Sequence, residues 1–265
     1  MKSTKAKKTN LSDGRVIWCL NKNEAKFVWE QVNDYFKYEI AVSDGDTIID
    51  VGANIGLFAL AAWDRCKPQG KVYALEPIPV LCDILNRNMK VHQCDHVTVL
   101  AGGVSNVNGT LTFTYFPRIT IFSTAFSDDL KAELQHSFEH TLADSSEEKP
   151  RAQKLFGLLP GSVRSYILKK LLNYYLGHSE LVECQVWTIS HLLQQYSIQS
   201  VDLLKIDVEK SEMDVLFGIE EHDDINDRLN QVRVMLQTQG FHKIHIDQER
   251  TSKGSTVYSV YARRE

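Results

Sequence analysis

A glycine-containing turn and a carboxylate one strand later are the residues best suited to chemistry in this sequence. The segment 50–56, DVGANIG, overlaps the end of the apolar, β-branched run 47–51, where a buried strand must turn into a helix. Gly52 and Gly56 lack a Cβ, so the turn can take positive φ and the first amides of the helix can face a polar ligand. Glu76 ends the next apolar run, where a carboxylate can accept both hydrogen bonds from a ribose diol. The pattern predicts a site for a nucleoside-containing cofactor.

The spacing of the turn distinguishes two classes of α/β enzyme. A nicotinamide-dependent dehydrogenase would carry G-x-G-x-x-G after its first strand, whereas this turn reads G-A-N-I-G. Asp50 at the strand end and the pair Glu76-Pro77 after the next strand favour the cofactor site of an α/β methyltransferase over a plain turn.

Further carboxylates follow the strongest late strand, 201–208. Ligands of open α/β sheets lie beyond the carboxyl ends of the strands, so Asp207, Glu209 and Glu212 are candidates for the reaction centre. Asp207 could instead be the N-cap of the following helix, and Glu212 a first-turn carboxylate stabilised by the helix dipole. A metal held by Asp207 and Glu209 has less support, because no dense carboxylate and histidine spacing surrounds them, and we predict no metal site.

Composition limits the class of protein. A length of 265 residues with 43% hydrophobic content predicts one α/β domain over 15–265, preceded by a flexible N-terminus, 1–14. The net charge of −4 and the pI near 6.1 give no basic footprint for nucleic acid, which favours a small or carrier-borne substrate. Five cysteines without a C-x-x-C pair predict reduced thiols of a cytoplasmic protein. No run reaches the ~18 apolar residues of a membrane span, so we expect no membrane partner.

The order of predicted elements defines the fold class. Strands are predicted at 15–20, 47–51, 71–75, 96–100, 110–115, 182–186, 201–208, 241–246 and 256–262. Helices are predicted at 23–32, 57–64, 79–91, 163–176, 189–196, 212–219 and 228–236. Strands that alternate with helices indicate an α/β fold with a parallel sheet, closed by an antiparallel pair, while the first strand and helix form an N-terminal brace beside the cofactor site.

An insertion at about 127–180 interrupts this alternation. Its helix, 163–176, carries an apolar face made of Val163, Tyr166, Ile167, Leu171, Tyr174 and Tyr175. This face could cap the acceptor site, form a homodimer contact or pack against the sheet.

Three motifs together resemble the FkbM family of S-adenosylmethionine-dependent methyltransferases. They are DVGANIG at 50–56, ALEP at 74–77 and LKIDVEKSE at 204–212. NKNE at 21–24 and FTYFPR at 113–118 further resemble the branch found as methylating domains of polyketide and mixed peptide assembly lines. The resemblance implies a Rossmann-like class I methyltransferase sheet with flanking helices. It also implies methyl transfer to a hydroxyl oxygen of a sugar, a macrolide or a carrier-tethered chain.

The resemblance also assigns roles by motif position. Asp50, Gly52, Asn54 and Gly56 would line the methionine side of S-adenosylmethionine, and Glu76 would hold its ribose. Gly103, Val104 and Ser105 would approach the adenine, while Asp207 would lie near the methyl group. Glu209, Glu212 and His222 are the candidate catalytic residues.

The chain departs from the family pattern between Ile219 and Glu220. A buried strand is expected before the family's Glu-Val-His-Asp motif, yet Ile219 runs directly into Glu220-Glu221-His222-Asp223. Two explanations are open: one internal strand is missing, which would leave its neighbours with unpaired backbone groups, or this sequence omits internal residues that the natural chain has. His222, oriented by Glu209 or Glu212, is the candidate base, and a surface-loop histidine is the alternative. The departure also leaves open a protein that binds the cofactor without catalysing transfer.

Overall fold

The central element of the computed structural model is a six-stranded, mostly parallel sheet. The structure describes residues 5–36, 42–125, 159–208, 211–219, 243–250 and 256–263. Its strands are β3 (Thr47–Val51), β4 (Lys71–Glu76), β5 (Val97–Ala101), β9 (Leu203–Ile206), β10 (Lys243–Arg250) and β11 (Thr256–Arg263). Across the sheet they lie in the order β10-β11-β9-β3-β4-β5. β9, β3, β4 and β5 run parallel, so their carboxyl ends meet at one edge of the sheet.

Helices connect and cover these strands, as the alternating sequence pattern predicts. They are α1 (Lys22–Gln31), α2 (Leu57–Cys66), α3 (Pro79–Val91), α4 (Gly161–Leu176), α5 (Ile189–Gln195) and α6 (Glu212–Phe217). Their starts follow known capping rules: the Asn21 side chain accepts from the backbone N–H of Glu24, and Pro79 occupies the first turn of α3. α2 is buried on nearly every side because it packs between the sheet and the N-terminal elements. The predicted helix at 228–236 lies outside the described residues.

The expected gap in the sheet is closed by direct pairing. β11 lies antiparallel to β9, with Ala262 opposite Leu204 and Val260 opposite Ile206, and β10 then pairs with β11 along its whole length. In the part of the chain that the structure describes, no strand lies between β9 and β11. The expectation of unpaired backbone groups next to the missing strand is therefore wrong for β9, since its outer edge is paired.

An N-terminal hairpin packs against α3 and is linked through it to the turn that follows β3. β1 (Lys7–Asn10) pairs antiparallel with β2 (Val16–Cys19), which differs from the flexible start expected for 1–14. Asn88 of α3 ties the hairpin to the glycine turn: its side chain accepts from Trp18 N at 2.7 Å and donates to Ile55 O at 2.8 Å. Asn88 is buried, so these bonds are shielded from water and hold the hairpin firmly.

A small second sheet lies beside the main one. β8 (Glu180–Trp187) runs between β6 (Gly103–Val104) and β7 (Gly109–Tyr115), parallel to the first and antiparallel to the second. This sheet holds residues 103–105 beside the end of β4. Within the described ranges, no helix combines the length and the apolar character needed to cross a membrane.

Helix α4 turns a different face inward from the one expected. Leu172 and Leu176 are buried against Phe116. Five of the six residues predicted to form the packed face are exposed instead: Val163, Tyr166, Leu171, Tyr174 and Tyr175. The prediction that this face packs against the sheet is wrong, because the helix rests on the turn after β7. The cap and the homodimer contact stay predictions.

Candidate functional site

A cavity of about 310 Å³ opens at the carboxyl ends of β3, β4 and β9. The glycine turn after β3 forms its floor and residues 103–105 one end. Helix α1 and the turn 120–125 form the opposite wall. This is the position where parallel α/β sheets bind ligands, and the volume lies at the lower end of the range for small-molecule sites.

Gly52 is required at the floor of the cavity because its backbone touches the neighbouring strand end. Its φ is +76°, and a Cβ at this position would lie 2.1 Å from the carbonyl oxygen of Asp207. Asn54 also has positive φ, at 50°, a conformation that asparagine tolerates better than most residues. The turn therefore presents backbone rather than side chains to a ligand.

Two residues predicted to line the methionine side face elsewhere. Gly56 has φ +86°, and a Cβ there would meet Leu85 Cδ1 at 2.3 Å, so this glycine serves the packing of α2 on α3. Asp50 is 0% exposed and points beneath the turn. Neither residue is among those that line the cavity, whereas Gly52 and Asn54 both are.

Glu76 is held by the backbone of both turns. Its Oε2 accepts from Asn54 N at 2.8 Å and its Oε1 accepts from Ile78 N at 2.9 Å. Each carboxylate oxygen keeps a further lone pair, so a ribose diol can still be bound. Burial raises the pKa of the Glu76 carboxyl to about 7, against the lowering effect of the two N–H donors. The carboxylate is thus fixed in place where the sequence predicted a ribose contact.

A buried lysine joins the glycine turn to the end of β9. Lys205 Nζ lies 3.0 Å from Asp50 Oδ1, donates to Gly52 O at 3.0 Å and lies 3.7 Å from Asp207 Oδ2. The side chain of Lys205 is 6% exposed and that of Asp207 is 46% exposed. Burial opposes the charge of the ammonium, but the carboxylates of Asp50 and Asp207 outweigh it and raise the lysine pKa. Asp50 therefore orients Lys205 from below, and Lys205 fixes the turn.

Asp207 faces the cavity and contacts the N-terminal segment. Tyr35, in the 3₁₀ turn that follows α1, donates its hydroxyl to Asp207 Oδ2. The N-cap position of α6 is occupied by Ser211, so the alternative role of Asp207 as a helix cap is wrong. The contact closes the cavity between β9 and the N-terminal brace.

A second carboxylate, Glu24 of α1, organises the opposite wall. Glu24 Oε1 accepts from Thr120 N at 2.9 Å, from Thr120 Oγ1 at 2.6 Å and from Ile121 N at 3.0 Å. Thr120 Oγ1 also accepts from Asn54 Nδ2 at 3.3 Å, so the wall is connected to the glycine turn. Burial raises the pKa of Glu24, opposed by these hydrogen bonds.

The remaining predicted residues divide into three groups. Gly103, Val104 and Ser105 line the cavity at the end expected for an adenine. Glu212 lies in the first turn of α6 and does not line the cavity, whereas its neighbours Ser211 and Asp214 do. Glu209 and His222 lie outside the described residues, so their catalytic roles stay predictions.

Among the polar residues that line the cavity, sequence reasoning assigned no site role to Tyr35, Glu24, Thr120 or Lys205. Lys205 carried a usable signal, because a lysine inside an otherwise apolar buried strand requires a charged partner. Glu24 belongs to the NKNE motif at 21–24, which resembles the family branch, but no local pattern marks it as a site residue. Tyr35 and Thr120 carried no signal of their own.

The ionisable side chains around the cavity are mostly acidic. Among the described residues that line it, four are carboxylic acids, Glu24, Glu76, Asp207 and Asp214, and Lys205 is the one cation. The charge of that lysine is largely balanced by Asp50. A cavity of this kind favours a ligand that carries positive charge.

The parallel sheet, the glycine turn beneath the cavity and the buried Glu76 define a Rossmann-like methyltransferase. The profile described as "Methyltransferase FkbM domain" matches residues 50–249, and the chain belongs to this family. The protein is a methyltransferase whose cofactor is S-adenosylmethionine. The sulfonium of this cofactor is cationic, which suits a cavity lined by several acidic side chains.

Similar proteins are found in fungi and bacteria. Methyltransferase sdnD of Sordaria araneosa is 30% identical over 79% of this chain and 74% of its own length. The 31-O-demethyl-FK506 methyltransferase FkbM of Streptomyces tacrolimicus is 28% identical over 96% of this chain and 95% of its own. The AMB antimetabolite synthetase AmbE of Pseudomonas aeruginosa is 27% identical over 96% of this chain, which corresponds to 12% of the synthetase.

Proposed function

We propose that this protein transfers a methyl group from S-adenosylmethionine to a hydroxyl oxygen of a small-molecule or carrier-tethered natural-product intermediate. One observation carries the proposal: a single cavity joins the glycine turn and Glu76 to the Asp207 carboxylate and to an apolar wall of α1. The name of the Streptomyces relative describes methylation of an O-demethyl compound, which supports an oxygen acceptor.

Methyl transfer from a sulfonium is an in-line displacement at the methyl carbon, so the protein has to position the acceptor oxygen and remove its proton. When bound, S-adenosylmethionine supplies a methyl group activated by its sulfonium. The chain would contribute position: Glu76, held by Asn54 N, would accept hydrogen bonds from the ribose, and Gly52, which lines the cavity without a side chain, would leave room for the ligand. Apolar side chains of α1 and of the 3₁₀ turn that follows it, Val28 and Val32 among them, line the cavity and would exclude water from the acceptor side. In this proposal His222, oriented by Glu209 or Glu212, takes the proton of the acceptor hydroxyl.

Two features bear on the setting of the reaction. The match to a segment of a much longer synthetase supports a carrier-tethered acceptor as one arm of the proposal. The five cysteines are all free and buried, which supports action in the reducing cytoplasm. A protein that binds the cofactor without turnover is the second candidate function, favoured by the internal strand that is absent between β9 and β11 in the described part of the sheet.

The test begins with binding and proceeds to turnover. Isothermal titration should show binding of S-adenosylmethionine and S-adenosylhomocysteine to the wild type and its loss in Glu76→Ala. Mass spectrometry then follows methyl addition to a free macrolide alcohol and to a hydroxyacyl chain on a carrier protein. Turnover that falls in His222→Ala with cofactor binding intact supports the assigned base. Binding without turnover on either acceptor supports the second candidate, and a folded chain that binds neither cofactor form contradicts both.

A further inference from the structure

One carboxylate oxygen in the cavity wall has no partner. Glu24 Oε2 is buried and, among the residues described, accepts no hydrogen bond. The other oxygen, Oε1, accepts three, from Thr120 N, Thr120 Oγ1 and Ile121 N. These bonds fix the plane of the carboxylate and therefore the direction in which Oε2 points. A buried carboxylate oxygen without a partner is costly, and a bound ligand at the cavity is one way to complete such a group.

The missing partner has to be a donor, and charge favours a cation. No ion pair of the described residues includes Glu24, and burial accordingly raises its pKa. Lys205 is already held by Asp50 and by Gly52 O. A positively charged N–H group from a ligand would supply both the hydrogen bond and the opposite charge.

The position of Glu24 relates this partner to the cofactor. Thr120 Oγ1 contacts both Glu24 Oε1 at 2.6 Å and the side chain of Asn54 at 3.3 Å, so the carboxylate lies beside the glycine turn. S-adenosylmethionine carries two positive groups, a sulfonium that cannot donate a hydrogen bond and an α-ammonium that can. The proposed acceptor is a neutral alcohol. The ammonium is thus the ligand group that matches Glu24.

We propose that Glu24 binds the α-ammonium group of S-adenosylmethionine through Oε2. This assignment gives the N-terminal helix a direct role in cofactor binding, beyond bracing the sheet. It rests on the part of the proposed function that places the cofactor in this cavity, and not on the identity of the acceptor.

Two ligands that differ at the ammonium test the assignment. S-adenosylhomocysteine has the amino-acid portion, whereas 5′-methylthioadenosine has the same nucleoside and sulfur without it. Glu24→Gln keeps an oxygen for Thr120 and Ile121 but replaces the charge. Titration should show S-adenosylhomocysteine bound about ten- to hundred-fold more weakly by the variant, the effect of one charge-assisted hydrogen bond. Binding of 5′-methylthioadenosine should stay within about twofold of the wild type.

Matched variants separate this role from a structural one. Glu30→Gln removes an exposed carboxylate from the same helix and should leave the affinity for both ligands unchanged. Thr120→Val keeps the Glu24 charge but removes the hydroxyl donor, and should weaken S-adenosylhomocysteine alone by about three- to tenfold. Thr120→Val therefore still tests the assignment if Glu24→Gln does not fold.

Three results would overturn the assignment. Unchanged affinity for S-adenosylhomocysteine in Glu24→Gln, with a fall in kcat, would move Glu24 to the acceptor side. Equal loss of both ligands would show that Glu24 only shapes the cavity. A wild type that binds 5′-methylthioadenosine but not S-adenosylhomocysteine would exclude any ammonium site. If the wild type bound neither ligand, the cofactor placement itself would fail, and this assignment with it.

Discussion

Replacing Lys205 with methionine tests whether the buried ion pair beneath the glycine turn holds the site together. Methionine keeps the length of the side chain but removes Nζ, which lies 3.0 Å from both Asp50 Oδ1 and Gly52 O. Asp50 is fully buried, and its carboxylate would remain without a cation. Breaking a buried pair in this way costs about 3–5 kcal/mol.

The structure also sets the pH dependence of that cost. Burial already raises the pKa of Asp50 in the wild type, against the lowering effect of Lys205. Without Lys205, Asp50 avoids an unpaired charge by taking up a proton, so its folded-state pKa rises further above the unfolded value. Protonating an aspartate of ordinary pKa, about 3.9, costs about 1.4 kcal/mol for each pH unit above that value, or roughly 4 kcal/mol at pH 7. The lost hydrogen bond to Gly52 O adds about 1 kcal/mol. We expect Lys205→Met to lower the free energy of unfolding by up to about 5 kcal/mol at pH 7 and up to about 3 kcal/mol at pH 5.5.

Urea unfolding followed by tryptophan fluorescence measures this difference from the wild type at both pH values. The double variant Asp50→Asn/Lys205→Met removes both charges and should lose only about 1–2 kcal/mol, independent of pH. Lys90→Met, which removes an exposed lysine of α3, should stay within about 0.5 kcal/mol of the wild type. A loss below about 1 kcal/mol in Lys205→Met, or one that does not change with pH, would refute the ion pair as the element that fixes the turn.

Three other perturbations follow from single contacts. Burial raises the folded-state pKa of Glu76 from 4.5 to about 7, so the free protein should lose up to about 3 kcal/mol of unfolding free energy as the pH rises across that interval. In urea titrations, Glu76→Gln should remove this pH dependence of the unfolding free energy. Gly52→Ala places a Cβ 2.1 Å from Asp207 O and should weaken S-adenosylhomocysteine binding more than about tenfold in calorimetry. Gly45 has a similar φ but open space around its Cβ position, so Gly45→Ala should cost only about 1 kcal/mol of stability. Asn88→Ala removes bonds to Trp18 and Ile55 and should cost about 3 kcal/mol in urea unfolding; a loss under about 1 kcal/mol would show that the hairpin is not held by Asn88.

The parts of the fold that sequence predicted best are governed by local pattern. The strand Thr47–Val51 and the helix Pro79–Val91 match their predicted bounds, since an apolar β-branched run and a proline start are readable from neighbouring residues. The strand after residue 201 is shorter than predicted and begins at Leu203. The Asp202 side chain accepts from Thr47 N at 2.8 Å instead of continuing the strand, a contact that no local pattern contains.

The site was predictable where a motif acts through its own backbone, and unpredictable where distant segments meet. Gly52, Asn54 and Glu76 lie at the cavity as predicted because the turn and the strand ends fix them. Glu24 and Thr120 are separated by 96 positions and Lys205 and Gly52 by 153, so their contacts arise only from the tertiary fold. Gly56 shows the opposite case: the same motif contains a glycine that does not line the cavity and whose missing Cβ makes room for Leu85 of α3.

The cavity is completed by residues that precede the part of the chain matched by the family profile. That match begins at residue 50, whereas Glu24 and Tyr35 belong to the N-terminal brace. Glu24 is attached to the turn at Thr120, and Tyr35 donates to Asp207 at the end of β9. The sheet therefore provides the floor of the site, and the N-terminal segment that contains Glu24 and Tyr35 provides its opposite wall. Because Glu24 and the Asp207 partner of Tyr35 are both carboxylates at the cavity, movement of this segment would alter the charge around a bound cofactor and the access of the acceptor together.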